Sequence, residues 1–198
     1  MLMTPSVRKL ALIVHVTSAL GWFGAVAAFL ALAIAGLTSQ DAQIVRAAYL
    51  AMDRIAWLVI VPLCFASLLT GLVQALGSQW GLFKHYWILA KLLLTLLATI
   101  VLLLKMNQIS QLAAAAAETA LSVADYAKAR KSLMVHAGGG LLVLLAATTL
   151  AVFKPQGMTR FAGGTPRWVK MSGFVVIALV VLAGILVLTG RHGPGIHA

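Results

Sequence analysis

The sequence predicts an all-α fold: a polytopic membrane helix bundle with a four-helix core plus a fifth transmembrane helix. Three observations predict it. Of the 198 residues, 62% are hydrophobic and only 10% charged, and the mean hydropathy is +1.03, far above what a soluble domain carries. Five apolar windows have the length of a bilayer crossing, roughly 20 residues each. The basic residues behind the net charge of +11 cluster at the ends of those windows, where they act as topology signals. That placement argues against nucleic acid as a partner. The lone cysteine, Cys64, lies in an apolar run, so neither an intrachain disulfide nor a cysteine-based metal cluster is available. Residues 1–198 read as a single membrane domain, because no length remains for a sizeable soluble one.

After a lead carrying Arg8 and Lys9, the first span is 10–37. Ala33-Ile34-Ala35 looks like a signal-peptidase site. The apolar run before it is longer than the core of about 7–15 residues in a cleaved signal, which predicts an uncleaved span. The connector 38–54 carries Asp41, Arg46, Asp53 and Arg54, with 42–52 a candidate helical extension. The second span, 55–76, contains Pro62, which predicts a kink of the kind membrane helices tolerate. Trp80, Lys84, His85 and Tyr86 mark an interfacial turn before the third span, 87–104.

The connector 105–132 mixes alanines with spaced charges, including Glu118, Asp125, Lys128, Arg130 and Lys131. It reads as a surface helix or as water-exposed extensions of the flanking spans. The fourth span, 133–153, opens with His136 and Gly138-Gly139-Gly140, and a basic loop, 154–170, leads to the fifth span, 171–189. Five spans put the termini on opposite sides. Seven basic residues fall on each side, so the positive-inside rule is tied, while all four acids fall on the side away from the N-terminus. The chain reads as a multi-pass protein of a bacterial plasma membrane, with its orientation open.

Ionisable residues inside spans are costly, about 2.5–3.5 kcal/mol for a lysine at a helix centre on insertion scales. Three spans carry one near their start: His15, Lys91 and His136. The first and third spans begin on the same side, so His15 and Lys91 share one depth. His136 begins its span on the other side. Helical spacing puts His15 on a face with Ser18 and Trp22, Lys91 with Trp87 and Thr95, and His136 with Gly139 and Gly140. A buried neutral imidazole in a helix bundle is a good axial ligand for haem iron. His15, Lys91, Trp22, Trp87 and His136 are therefore the candidate cofactor-binding residues. Lys91 is the candidate catalytic residue, as a propionate partner, a second ligand or a proton carrier. His15 and His136 are the candidate metal ligands. Each has a plainer reading: interfacial histidines, a lysine that snorkels to the headgroups, and tryptophans and glycines that only pack.

Two motifs suggest a family. His15-x6-Trp22-Phe23 resembles the opening of the HemJ family of membrane proteins linked to protoporphyrinogen IX oxidation. Trp87-Ile-Leu-Ala-Lys91-Leu resembles the start of that family's third span, and Phe153-Lys154-Pro155 its Lys-Pro ending. The CopD membrane domain of copper resistance shares a looser form of the first motif. The resemblance spans roughly residues 10–155. It implies a haem b, with the important histidine and lysine falling on His15 and Lys91. The chain departs from the pattern where Ala25-Val26-Ala27-Ala28 replaces an expected arginine and Leu89 an expected histidine. The likeness thus implies a relative with the scaffold rather than the protoporphyrinogen reaction itself.

Three functions follow as expectations. One is a haem-b-binding membrane protein, an oxidoreductase acting on porphyrin or passing electrons to a quinone. A second is a CopD-like metal handler, in which histidines and Met52, Met106 and Met171 near span ends pass copper. The third is a non-catalytic subunit or assembly factor that packs its small-residue faces on a membrane partner or on another copy of the chain.

Overall fold

A computed structural model of the chain describes residues 3–77, 82–118 and 126–160, together with Val175, Ala178 and Leu182. Thr4 opens the first helix, α1 (Pro5–Thr38). Its hydroxyl accepts from the Val7 N–H, and Pro5 sits where a missing N–H costs nothing. The chain turns at Ser39, and Asp41 caps α2 (Ala42–Ile55) by accepting from the Gln43 N–H at 2.8 Å. A π-helical turn, Ala56–Ile60, carries α2 into α3 (Val61–Gly77). That turn lies directly upstream of Pro62, the residue expected to kink the span. Proline lacks an N–H and crowds the carbonyl four residues back, and a wider turn relieves both. The next helices are α4 (Tyr86–Glu118) and α5 (Ala127–Phe153).

Four rods are long and apolar enough to cross a membrane: α1, the continuous Ala42–Gly77 rod, α4 and α5. They fit a multi-pass protein in a lipid bilayer. The expected fifth span, 171–189, lies outside the described residues except for Val175, Ala178 and Leu182, which are helical.

Contacts between helices fix their directions. Gly21 lies against Leu63 and Gly71 against His15, so α3 runs antiparallel to α1. Gly140 faces Val26, and Arg130 reaches Gly36, so α5 is antiparallel to α1 as well. Lys105 bonds Ser132 at one end and Thr159 bonds Lys84 at the other, which sets α4 antiparallel to α5. The result is an up-down-up-down bundle.

The rods are longer than a bilayer. Between Tyr86 and Lys105, α4 rises about 29 Å, which matches a hydrocarbon core of about 30 Å. Past Lys105 it continues about 20 Å farther, to Glu118. The expectation of a surface helix or water-exposed extension in 105–132 is therefore corrected. The extension is there, but Met106, Ile109, Leu112 and Ala116 are buried along it. Their three- and four-residue spacing continues the apolar stripe, so the bundle core runs on beyond the membrane band.

Arg130 ties this outer part together. It is 1% exposed. Its Nε–H donates to the Tyr49 hydroxyl at 2.8 Å, its Nη2 donates to the Gly36 carbonyl, and its guanidinium lies 5.4 Å from the centre of the Tyr49 ring. Nearby, the Ser110 hydroxyl donates to Asp53 at 2.8 Å and accepts from the Trp57 indole at 3.2 Å. Gly36 is required for this closeness, because a Cβ there would meet the Tyr49 ring at 3.0 Å. Tyr49→Phe removes one acceptor from a buried cation. It should lower stability by about 1.5–3 kcal/mol, read as a lower unfolding midpoint in detergent, while Tyr126→Phe at an exposed position should leave the midpoint unchanged.

Candidate functional sites within the bundle

The structure brings His15 and Lys91 together. His15, on α1, is 8% exposed, and its Nε2 lies 3.1 Å from the Lys91 Nζ on α4. Its Nδ1 lies 3.1 Å from both the Ser67 carbonyl and the Thr70 hydroxyl on α3. The carbonyl can only accept, and the Thr70 hydroxyl already donates to the Ala66 carbonyl at 2.6 Å. The network therefore assigns the proton to Nδ1 and leaves the Nε2 lone pair to accept from a Lys91 N–H. Gly71 lets the edge of the ring approach α3, since a Cβ there would sit 3.0 Å from His15 Cε1. One turn away, the Gln74 amide donates to the Ala11 carbonyl at 2.9 Å and fastens α3 to α1 at the same depth.

Lys91 does not snorkel. Its amine turns into the bundle toward another helix, and the His15 ring is the hydrogen-bond partner of Nζ among the described residues. Thr95, on its predicted face, donates back to the Lys91 carbonyl at 2.9 Å. Trp87 lies one turn nearer the helix start, its ring 6.4 Å from that of His85.

Trp22 and His136 belong to a second place. A cavity of about 300 Å³ is walled by α1, α4 and α5, with Trp22, His136, Lys105, Gly139 and Gly140 among its lining. Its surface is overwhelmingly apolar, as ligand sites usually are. Leu97 and Val135 on its lining are 53% and 56% exposed, so it is open on the side where α4 and α5 meet. The His136 Nδ1–H donates to the Ser132 carbonyl at 2.7 Å, which leaves Nε2 with a lone pair and no hydrogen-bond partner among the described residues. Lys105 donates to the Ser132 hydroxyl at 3.1 Å and to the Gln108 side chain at 3.2 Å. The two basic residues thus meet at Ser132.

The two places are well separated. Gly140 faces Val26, so His136 lies at the depth of about residue 30 of α1. His15 is fifteen residues away from that level, or about 22 Å along a helix. The two histidines cannot hold one metal ion. Among the described residues, no three His, Cys, Asp or Glu side chains come together as a metal site. Met52 and Met106, expected as copper ligands, are sealed in the core at 0% and 1% exposure, and Met171 lies outside the described residues.

The haem expectation can be tested against this geometry. His15 has both ring nitrogens engaged by protein partners and a backbone against its Cε1, so ligation through Nε2 requires Lys91 to leave. His136 has a free Nε2, a cavity beside it and a cation at the same depth. Its surroundings fit the group better. Lys105 drew no attention in the sequence because a lysine at a span's end reads as a topology charge. Its distance of 21 residues from Lys84, one bilayer width, was the available signal.

The chain matches no protein-family model, none of the curated proteins and no solved structure. Its function is therefore read from its own geometry. Gly71→Ala should push the His15 ring off α3 at a cost of about 1–3 kcal/mol. The thermal midpoint in detergent should fall, whereas Gly138→Ala, which meets nothing within 4 Å, should be neutral or stabilising.

Proposed function

We propose that the chain is a haem-b-binding membrane protein, an oxidoreductase of the HemJ-like scaffold, in which His136 rather than His15 would hold the iron. The observation that carries the reading is an imidazole nitrogen with no hydrogen-bond partner among the described residues, on an exposed residue at the rim of an apolar cavity between helices. A haem held there supplies one-electron redox chemistry. The chain's own part is to hold and select. Ser132 fixes the His136 tautomer by accepting from Nδ1, which directs Nε2 to act as the ligand. Trp22 offers a flat apolar wall, and Gly139 and Gly140 leave room one turn from the imidazole. Lys105 gives a cation for a propionate at the edge of the apolar band. The sideways opening favours a lipid-dissolved electron partner, a quinone or a porphyrin, over a water-soluble one.

Purified protein expressed with ample haem should show a Soret band and an α-band in a reduced-minus-oxidised spectrum. His136→Ala should abolish both bands. His15→Ala should keep them, because its imidazole is committed to Lys91 and Ser67. No bands in the wild type would remove the proposal, and bands that vanish only in His15→Ala would return the ligand to the first site.

A further inference from the structure

Lys91 poses a charge problem that the described residues do not solve. The four acids in the sequence are Asp41, Asp53, Glu118 and Asp125. Asp41 caps α2 and Glu118 ends α4, both at the far end of the bundle. Asp125 lies outside the described residues. Asp53 is four residues from Tyr49, which packs on Gly36. It lies about 25 Å along the bundle from the level of His15. Among the described residues, Lys91 therefore has no carboxylate partner at its own depth in the apolar band.

Its hydrogen bonding is incomplete as well. An ammonium has three N–H donors, and among the described residues the one side-chain acceptor at Nζ is His15 Nε2. The residue is partly exposed rather than sealed. His15 is itself held at Nδ1 by Ser67 and Thr70. It acts as a fixed acceptor that keeps the amine at bilayer depth instead of letting it climb to the headgroups.

We infer that Lys91, positioned by His15, is a receptor for one anionic oxygen group, a carboxylate or a phosphate, brought by a ligand from outside the chain. Such a group accepts two charge-assisted N–H bonds and neutralises the ammonium in the same contact. The depth of the site inside the apolar band favours a membrane-dissolved amphiphile, its anionic head at Lys91 and its chain in lipid. The site is independent of the cavity at His136, about 22 Å away along the bundle, and stands whether or not a haem occupies that cavity.

The test is equilibrium binding to the protein in phosphatidylcholine nanodiscs, with oleate, methyl oleate, phosphatidic acid and inorganic phosphate as probes. Oleate or phosphatidic acid should bind saturably and raise the thermal midpoint, and methyl oleate should do neither. Lys91→Gln should weaken that binding at least about tenfold, the effect of losing a charge-assisted bond. Lys91→Arg should retain it, and Lys128→Gln, at an exposed position of α5, should leave it unchanged. Saturable binding of inorganic phosphate alone, lost in Lys91→Gln, would support the receptor with an aqueous ligand as its source. Equal binding of oleate and methyl oleate by the wild type, or binding of no anionic probe, would overturn the inference without any variant having to fold. Unaltered affinity in Lys91→Gln would overturn it too.

Discussion

The bond from Arg130 to the Gly36 carbonyl sets the register on which the rest of the bundle depends. A guanidinium buried to this degree tolerates no slippage, because each of its donors would lose an acceptor that the surrounding protein core cannot replace. Tyr49 adds a hydroxyl and a ring face to the same cation. Three rods are thereby pinned at one level: α1 through Gly36, the Ala42–Gly77 rod through Tyr49, and α5 through Arg130 itself. From that level α5 descends against α1 with Val26 opposite Gly140. A one-turn shift would carry His136 about 5.4 Å along the axis and away from Lys105 and the cavity. The clamp lies outside the apolar band, where the desolvation cost of a cation is smaller than at mid-bilayer, yet it positions groups inside that band.

Within the band, the two polar places differ in how completely the protein answers them. The His15 ring has partners on both nitrogens, drawn from two other helices, and a backbone pressed against its edge. It is a structural joint between α1, α3 and α4, and its unfinished business is the lysine beyond it. The His136 ring is anchored only by its own helix and keeps a lone pair free beside open space. An imidazole that is oriented but not consumed is the more available for chemistry. The sequence ranks them the other way, because His15 sits in the better-defined motif and Lys91 shares its depth.

Much of the bundle was legible because lipid leaves a chain few options. Long apolar runs bounded by charge must be helices, and four of the five predicted spans correspond to rods of the described structure. The meeting of His15 with Lys91 was legible too, since parallel spans entered from one side place equal offsets at equal depth. The buried extension past Lys105 was not. Alanines and scattered charges over 105–132 look like a solvated surface, and Arg130 hides its role by being an arginine. Only its phase with Leu133 and Ala137, three and seven residues on, shows that it lies on the stripe that faces the core. The π turn before Pro62 was equally invisible, because proline announces strain without saying where the helix will absorb it.

The glycines sharpen the contrast between filled and open space. Gly36 and Gly71 read in the sequence as interchangeable small residues, but each is filled from outside, one by the Tyr49 ring and one by the His15 ring. Gly138 and Gly139 meet nothing within 4 Å, and Gly140 meets only Val26 at 3.9 Å. A bilayer helix has no conformational reason to carry three successive glycines, each costing about 1 kcal/mol relative to alanine. Where a neighbour fills the gap, packing offsets that cost. Where nothing does, as at Gly138 and Gly139, packing does not offset the cost, and Gly139 stands open on the helix face that carries His136.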